Sequence, residues 1–136
     1  MLRSSDYARL IQGRNFIIAT DFDGTLVESL VESGKYPKFG EPTKWFKFLK
    51  FLRSNFKNVQ IILYTCREGK ELSSAVDFCA CNGLMFDAIN EDVPSTLKWK
   101  DKSRKPFAHI YVDDRALSVE FAENLWVKVK KDLDIR

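Results

Sequence analysis

Cysteine and histidine are scarce in this sequence, which has three cysteines and one histidine in 136 residues. An odd, small number of cysteines gives no disulfide framework, and such frameworks belong to small oxidised proteins. Cys79 and Cys81 would supply half of a metal site, but no second cysteine pair accompanies them. We interpret them as small apolar residues of a helix, and the cysteine content favours a reducing, cytoplasmic location.

Long apolar runs and a strong charge of one sign are also missing. No stretch reaches the roughly 18 to 20 consecutive apolar residues that cross a bilayer, and residues 1–14 contain no continuous apolar segment of the signal-peptide kind. The 22 basic and 19 acidic residues leave a net charge of +3, too weak a bias to indicate an anionic partner. We therefore expect no membrane association and do not favour nucleic acid as the partner.

Apolar residues make up 45% of the chain, enough for one hydrophobic core, and the length fits a single domain over residues 1–136. The first three of its four short apolar runs are nearly continuous, as in a parallel sheet with both faces covered, while the fourth alternates like an edge strand. The predicted strands are Phe16–Thr20, Val59–Thr65, His109–Val112 and Trp126–Val129.

Helical patterns separate these runs. Residues 41–55 carry an apolar stripe at helical spacing, with Pro42 placed in the first turn. A second helix is predicted around residues 72–79 with Gly83 as its C-terminal cap, then a short strand over residues 86–89. Residues 5–12, in an extension over 1–13, indicate a short additional helix. The alternation predicts a three-layer α/β/α, Rossmann-like domain with a mainly parallel sheet.

Polar residues follow the first three strands: Asp21 and Asp23, then Thr65, then Asp113 and Asp114. The carboxyl ends of parallel strands meet at one edge of the sheet, where ligands bind. Carboxylates crowded there repel by about 4 kcal/mol per pair at ~4 Å and an effective dielectric constant of ~20. A hard cation, Mg²⁺ in particular, offsets that repulsion. The alternative is that these aspartates cap helices or turns.

The stretch Asp21-Phe22-Asp23-Gly24-Thr25-Leu26 resembles the signature of the haloacid dehalogenase-like (HAD) hydrolase superfamily. Two further stretches are similar to those of its small, capless phosphatase-type members: Thr65-Cys66-Arg67-Glu68-Gly69 and Val112-Asp113-Asp114-Arg115. The resemblance covers residues 16–114, and it implies a Mg²⁺-dependent phosphohydrolase that acts on phosphomonoesters through an aspartyl-phosphate.

The resemblance also implies roles for individual residues. Asp21 is the nucleophile, and Asp23 protonates the leaving oxygen and later activates water. Thr65 donates a hydrogen bond to a phosphoryl oxygen. The Mg²⁺ ligands are the Asp21 carboxylate, the Asp23 backbone carbonyl and Asp113, with Asp114 a ligand through water or a support.

The resemblance also implies a lysine that neutralises the charge of the nucleophile and of the phosphoryl group. Four lysines precede the third strand: Lys98, Lys100, Lys102 and Lys105. We assign the role to Lys105, eight residues before Asp113, with Lys102 as second choice. Together with Arg104 and Trp99, these lysines also fit a patch for nucleic acid or a polyphosphorylated ligand. We favour that patch less than a solvated basic loop that supplies one catalytic lysine.

Two arginines flank the predicted site. We assign Arg67 to phosphate binding, and Arg115 either holds a second anionic group or pairs with Asp113 or Asp114. His109, inside an apolar run, is interpreted as a packed residue.

Little chain remains for a substrate-selecting cap: residues 27–40 give a flap-like insertion and no large cap domain is expected. The expected substrate is a phosphorylated small molecule or the phosphorylated end of a larger one. An open site admits large phosphorylated substrates, and the alternative is that a partner subunit closes the site.

Two other functions are compatible with these residues. One is a catalytically silent binding protein on the same fold. The other is a receiver-like phospho-aspartate signalling module, which resembles this chain in residue types but has its acidic pair early and its phosphoacceptor aspartate in the middle.

Overall fold

The computed structural model describes residues 4–28, 40–99, 105–113 and 127–131. Its helices are α1 (Ser4–Ile11), α2 (Lys44–Asn55), α3 (Gly69–Cys81) and α4 (Pro94–Leu97). Its strands are β1 (Phe16–Thr20), β2 (Val59–Leu63), β3 (Ala88–Ile89) and β4 (Ile110–Val112), in the order β3-β2-β1-β4. All three strand pairs are parallel, so the predicted α/β class is confirmed. Within the described ranges there is no large cap, and no helix is long and apolar enough to cross a membrane.

The central strand, β1, is buried along its whole length. It pairs with β2 from Phe16↔Val59 to Thr20↔Leu63 and with β4 from Ile18↔Ile110 to Thr20↔Val112. A strand hydrogen-bonded on both sides and covered on both faces needs apolar residues at every position. This is why the continuous apolar run predicted β1 with its observed bounds.

The two faces of the sheet are covered unequally. Phe16 and Ile18 of β1 face a large core to which α2 and α3 contribute their buried side chains. Ile17 and Ala19 point to the opposite face, where a smaller cluster contains Val93 and Ala108. Among the residues that the structure describes, the second face is therefore covered by shorter chain segments and smaller side chains.

The α2 helix begins later than predicted. Thr43 is its N-cap, and the Thr43 hydroxyl accepts from the Phe46 N–H at 3.3 Å. The placement of Pro42 in the first turn is wrong, because Pro42 pairs as an isolated bridge with Val27. A threonine side chain can satisfy a free amide at a helix start, which a preceding proline does not do. The predicted apolar stripe is confirmed, since Trp45, Phe48, Leu49 and Leu52 are all buried.

The C-terminal prediction is wrong. Residues 127–131 are helical, whereas Trp126–Val129 was predicted as an edge strand; Trp126 itself lies outside the described residues. Val127 is 65% exposed and Val129 is fully buried in the core, which fits a helix because a strand would place both on one face. Four alternating residues are too few to distinguish the two structures, and packing of Val129 against the core decides between them.

The ends of the predicted 27–40 insertion lie side by side. The Gly40 N–H donates to the Glu28 carbonyl at 2.9 Å, and the Glu28 N–H donates to the Glu41 carbonyl at 3.0 Å. A Cβ on residue 40 would lie 2.7 Å from the Glu28 Cβ, so this crossing requires glycine. Residues 29–39 lie outside the described part of the chain.

His109 joins the amino-terminal halves of β1 and β4. Its Nδ1 accepts from the Ile17 N–H at 2.9 Å, and its ring lies between Phe16 and Phe107, with centroids 5.8 and 5.1 Å away. Burial lowers the pKa of His109, and the charges of Arg9 and Arg14 lower it further, while Asp6 opposes them. The imidazole is therefore a neutral packing residue, and accepting the amide hydrogen at Nδ1 requires it to be so.

We predict that the free energy of unfolding falls as the pH drops below about 6.5, the ordinary histidine pKa. The unfolded chain then takes up a proton that the folded His109 resists, so folding loses stability until the lowered pKa of the folded state is passed. Urea unfolding between pH 7.5 and 5.0 measures this. The His109→Asn variant keeps an acceptor without a titrating ring and should show a smaller decrease. An identical pH dependence in both proteins would contradict the assignment.

Candidate functional site

A cavity of about 430 Å³ lies at the carboxyl edge of the sheet. Four of the predicted site residues line it: Asp21, Thr65, Lys105 and Asp113. The other lining residues are Ala19, Thr20, Tyr64, Cys66, Asn90, Tyr111 and Val112. The structure thus brings together residues from five separate segments, which include the carboxyl ends of all four strands, as expected where parallel strands end side by side.

Asp21 continues the line of β1. Its N–H donates to the Val112 carbonyl at 3.0 Å, and its Oδ1 accepts from the Phe22 N–H at 2.8 Å. Beyond it, the N–H groups of Leu26 and Val27 both donate to the Phe22 carbonyl, which closes a tight turn. The backbone N–H of the next residue, Phe22, therefore holds the Asp21 carboxylate at the cavity.

Thr65 is held by a residue that the sequence analysis missed. The Thr65 N–H donates to Oδ1 of Asn90 at 2.8 Å, and the Thr65 hydroxyl accepts from the Arg67 N–H at 3.2 Å. Asn90 has φ of +53°, a left-handed conformation that asparagine adopts more readily than most residues. Its position directly after β3, at the same sheet edge, is the signal that could have identified it.

Lys105 lies against two aromatic rings of the cavity. Its Nζ is 4.0 Å from the Tyr111 ring centroid and 5.9 Å from that of Tyr64, both within cation–π range. Lys98 lies at the exposed end of α4 and does not line the cavity. Lys100 and Lys102 lie outside the described residues. Of the two candidate lysines that the structure describes, Lys105 is the one beside Asp21 and Asp113.

Asp23 and Arg67 bind each other instead of lining the cavity. Arg67 Nε donates to Asp23 Oδ2 at 2.7 Å, and Nη2 donates to Oδ1 at 2.6 Å. The Arg67 side chain is fully buried, and its guanidinium lies 5.0 Å from the Phe22 ring centroid. Both carboxylate oxygens of Asp23 are thus engaged. The acid–base role of Asp23 and the phosphate contact of Arg67 remain predictions.

The cavity offers oxygen ligands for a cation. The carboxylates of Asp21 and Asp113 both line it, while Asp114 and Arg115 lie outside the described residues. Within those residues no three histidine, cysteine, aspartate or glutamate side chains are grouped closely enough to hold a metal. Two carboxylates in a cavity with room for water and phosphate match the preference of Mg²⁺, which keeps several waters.

The two cysteines of α3 have different surroundings. Cys79 is buried and Cys81 exposed, on one helix. Burial raises the pKa of the Cys79 thiol to about 12, so it stays protonated, whereas metal ligation needs the thiolate. Their interpretation as ordinary helix residues agrees with these surroundings.

The sheet order and the cavity at its carboxyl edge define an α/β protein of the Rossmann-like kind. A solved structure from Bacteroides thetaiotaomicron, described as a conserved protein, is 32% identical in sequence over 88% of this chain and 93% of that chain, with a TM-score of 0.66. The chain belongs to the same family as that conserved protein. No protein-family model and no curated protein matches the chain.

Because the ion pair between Asp23 and Arg67 is buried, we predict that two similar Asp→Asn substitutions lower the free energy of unfolding by different amounts. Asp23→Asn removes the charge opposite a fully buried guanidinium and should lower the free energy of unfolding by about 3 kcal/mol. Asp87 is the control, because it makes the same two-bond contact with Arg53 at the surface. Its carboxylate also accepts from the Ile61 N–H at 2.7 Å, and an asparagine keeps a side-chain oxygen that can accept there. Asp87→Asn should cost about 1 kcal/mol or less. Urea unfolding measures both, and equal losses would contradict a special role for burial.

Proposed function

We propose that the protein is a Mg²⁺-dependent phosphohydrolase that cleaves phosphomonoesters through an aspartyl-phosphate, as its resemblance to the HAD hydrolases implies. One observation carries the proposal. One cavity is lined by all four residues to which the resemblance gives a nucleophile, a phosphate-binding hydroxyl, a cation and a metal ligand. In that order they are Asp21, Thr65, Lys105 and Asp113. The substrate class is a phosphorylated small molecule or the phosphorylated end of a larger one.

The proposed reaction has two steps. A carboxylate oxygen of Asp21 attacks phosphorus, the ester P–O bond breaks, and the leaving alkoxide takes a proton. Water then attacks the phosphorus of the acyl phosphate, releases phosphate and restores the Asp21 carboxylate. Asp23 is the proposed donor and acceptor of the proton. Since Asp23 is engaged by Arg67 in the structure, that role requires the pair to rearrange.

The charges at the cavity support a cation there. Asp21 and Asp113 each carry a negative charge and a bound phosphate dianion adds about two more, whereas Lys105 supplies a single positive charge. When bound, Mg²⁺ would neutralise the excess and polarise a phosphoryl oxygen. The Asp21 and Asp113 carboxylates and the Asp23 carbonyl are the proposed ligands, with Asp114 beside them.

A second candidate function is phosphate binding without turnover. The observation that favours it is the engagement of both Asp23 oxygens by Arg67, which keeps the proposed acid away from the cavity. A protein of this kind would bind phosphate through Lys105 and Thr65 but release no product. Turnover measurements distinguish the two candidates.

We predict that hydrolysis of an aryl phosphate requires both Mg²⁺ and Asp21. Asp21→Asn removes the nucleophilic carboxylate and should reduce the rate to background, because the amide cannot form the covalent intermediate. Treatment with EDTA should do the same, and added Mg²⁺ should restore the rate. Phosphate release measures all three. Retained activity in Asp21→Asn would exclude the proposed mechanism, and a folded wild type without activity would favour phosphate binding alone.

We predict that Lys105→Ala lowers kcat/KM by about 10²-fold, the usual order for a lost electrostatic stabiliser. Lys98→Ala is the matched control, because Lys98 is exposed and outside the cavity. It should leave kcat/KM within about twofold, since an exposed lysine distant from the substrate contributes little. The same substrate is used for both variants. A collapse in Lys98→Ala with activity retained in Lys105→Ala would show that Lys105 has been given the wrong role.

A further inference from the structure

Two tyrosines of the cavity are unusually exposed for large aromatic side chains. Tyr64 is 41% exposed and Tyr111 is 38% exposed, and both line the cavity that holds Asp21 and Lys105. The phosphate chemistry proposed above uses neither ring. Exposed rings at a concave polar site are typical of surfaces that stack on a flat ligand.

The sheet register places these rings on either side of β1. Ala19 of β1 is aligned with Tyr111 of β4 and with Ile62 of β2, and Tyr64 lies two residues beyond Ile62. Successive residues of a strand alternate in direction, so Ala19, Tyr64 and Tyr111 point to the same face. Strands β2 and β4 lie roughly 10 Å apart across β1. The rings approach more closely than that spacing requires, because Lys105 Nζ is 4.0 Å from the Tyr111 ring centroid and 5.9 Å from that of Tyr64.

Ala19 lies between the two tyrosines on this face, and its small side chain limits how much of the cavity β1 itself fills. Ala19 belongs to the smaller cluster and also lines the cavity. The ammonium group of Lys105 lies within cation–π range of both rings, so a ligand that contacts them also meets the cation. The volume of about 430 Å³ has room for a phosphate group and one ring together.

Tyr111 is fixed in place before any ligand binds. Its hydroxyl donates to the Pro106 carbonyl at 2.6 Å and accepts from the Ala108 N–H at 3.1 Å. Lys105 lies over the same ring, so the cation proposed to bind phosphate is in contact with the aromatic wall. A ligand ring that packs beside a fixed wall loses less entropy than one that packs against a mobile side chain.

From this arrangement we propose that the cavity selects phosphate esters whose alcohol carries a flat aromatic ring, which Tyr64 and Tyr111 contact while Lys105 and Thr65 bind the phosphate. The proposal rests on the proposed phosphate-binding role of the cavity. Tyr64 and Tyr111 are specificity-determining residues in it, with no part in the bond-breaking steps.

Binding of two phosphonates tests the ring preference without turnover. Benzylphosphonate and cyclohexylmethylphosphonate have similar size and the same phosphorus group, but one has a flat aromatic ring and the other a puckered saturated one. Calorimetric titration of the wild type in the presence of Mg²⁺ should show benzylphosphonate binding on the order of tenfold more tightly, the effect expected of one stacked ring. Equal affinities would overturn the proposal.

Variants then locate the preference. Tyr64→Leu keeps apolar volume but removes the aromatic face, and the affinity ratio should fall toward unity. Tyr7→Leu is the matched control, because Tyr7 also lies under a lysine, Lys128 at 4.5 Å, but on α1 and outside the cavity. It should keep the wild-type ratio. An unchanged ratio in Tyr64→Leu would also overturn the proposal.

Competition experiments with natural phosphates identify the source of the ring. A nucleoside 5′-monophosphate is compared with ribose 5-phosphate, and phosphotyrosine with phosphoserine. Tighter binding of the nucleotide identifies the ring as a nucleobase, and tighter binding of phosphotyrosine identifies it as a tyrosine ring.

Turnover of benzyl phosphate separates the ring-selectivity proposal from the proposed phosphatase activity. Ring-selective binding without turnover would overturn the phosphatase alone, and turnover without ring selectivity would overturn the ring site alone.

Discussion

The pairing of β1 with a parallel neighbour on each side determines the geometry of the candidate site. Because Thr20 is aligned with both Leu63 and Val112, the next residues of the three strands leave the sheet at the same level. The N–H of Asp21 still donates to the Val112 carbonyl, and the N–H of Tyr64 donates to the Thr20 carbonyl. The position of Asp21 relative to Thr65 and Asp113 thus depends on backbone hydrogen bonds, which every residue except proline can make.

The two basic residues of the site have opposite surroundings, and their burial decides what each can do. Arg67 is buried, and a buried guanidinium needs a charged partner, which Asp23 supplies through two hydrogen bonds. Lys105 lies at the cavity against Tyr111, where its ammonium group stays accessible. Among the described residues that line the cavity, Lys105 is therefore the positive charge available to an anionic ligand, close to the carboxylates of Asp21 and Asp113.

Sequence patterns predicted the parts of the molecule that depend on burial over many residues. The bounds of β1 and the apolar stripe of α2 follow from such patterns, and so does the αL glycine after α3, Gly83, with φ of +87°. Patterns failed where one contact decides. Four alternating residues predicted a strand, but the burial of Val129 selects a helix, and the hydrogen bond from Thr65 to Asn90 joins residues 25 apart. No periodicity carries such information.

At the candidate site, too, general patterns were predictable from the sequence and individual side-chain contacts were not. Placing Asp21, Thr65 and Asp113 together required only the rule that parallel strands end at one edge. The pairing of Asp23 with Arg67 spans 44 residues and depends on the burial of one side chain, which the sequence does not reveal. The walls of the cavity depend on the sheet register as well. Ala19 is aligned with Tyr111, and Tyr64 follows β2 two residues beyond Ile62, so a small residue of β1 lies between two tyrosines that line the cavity.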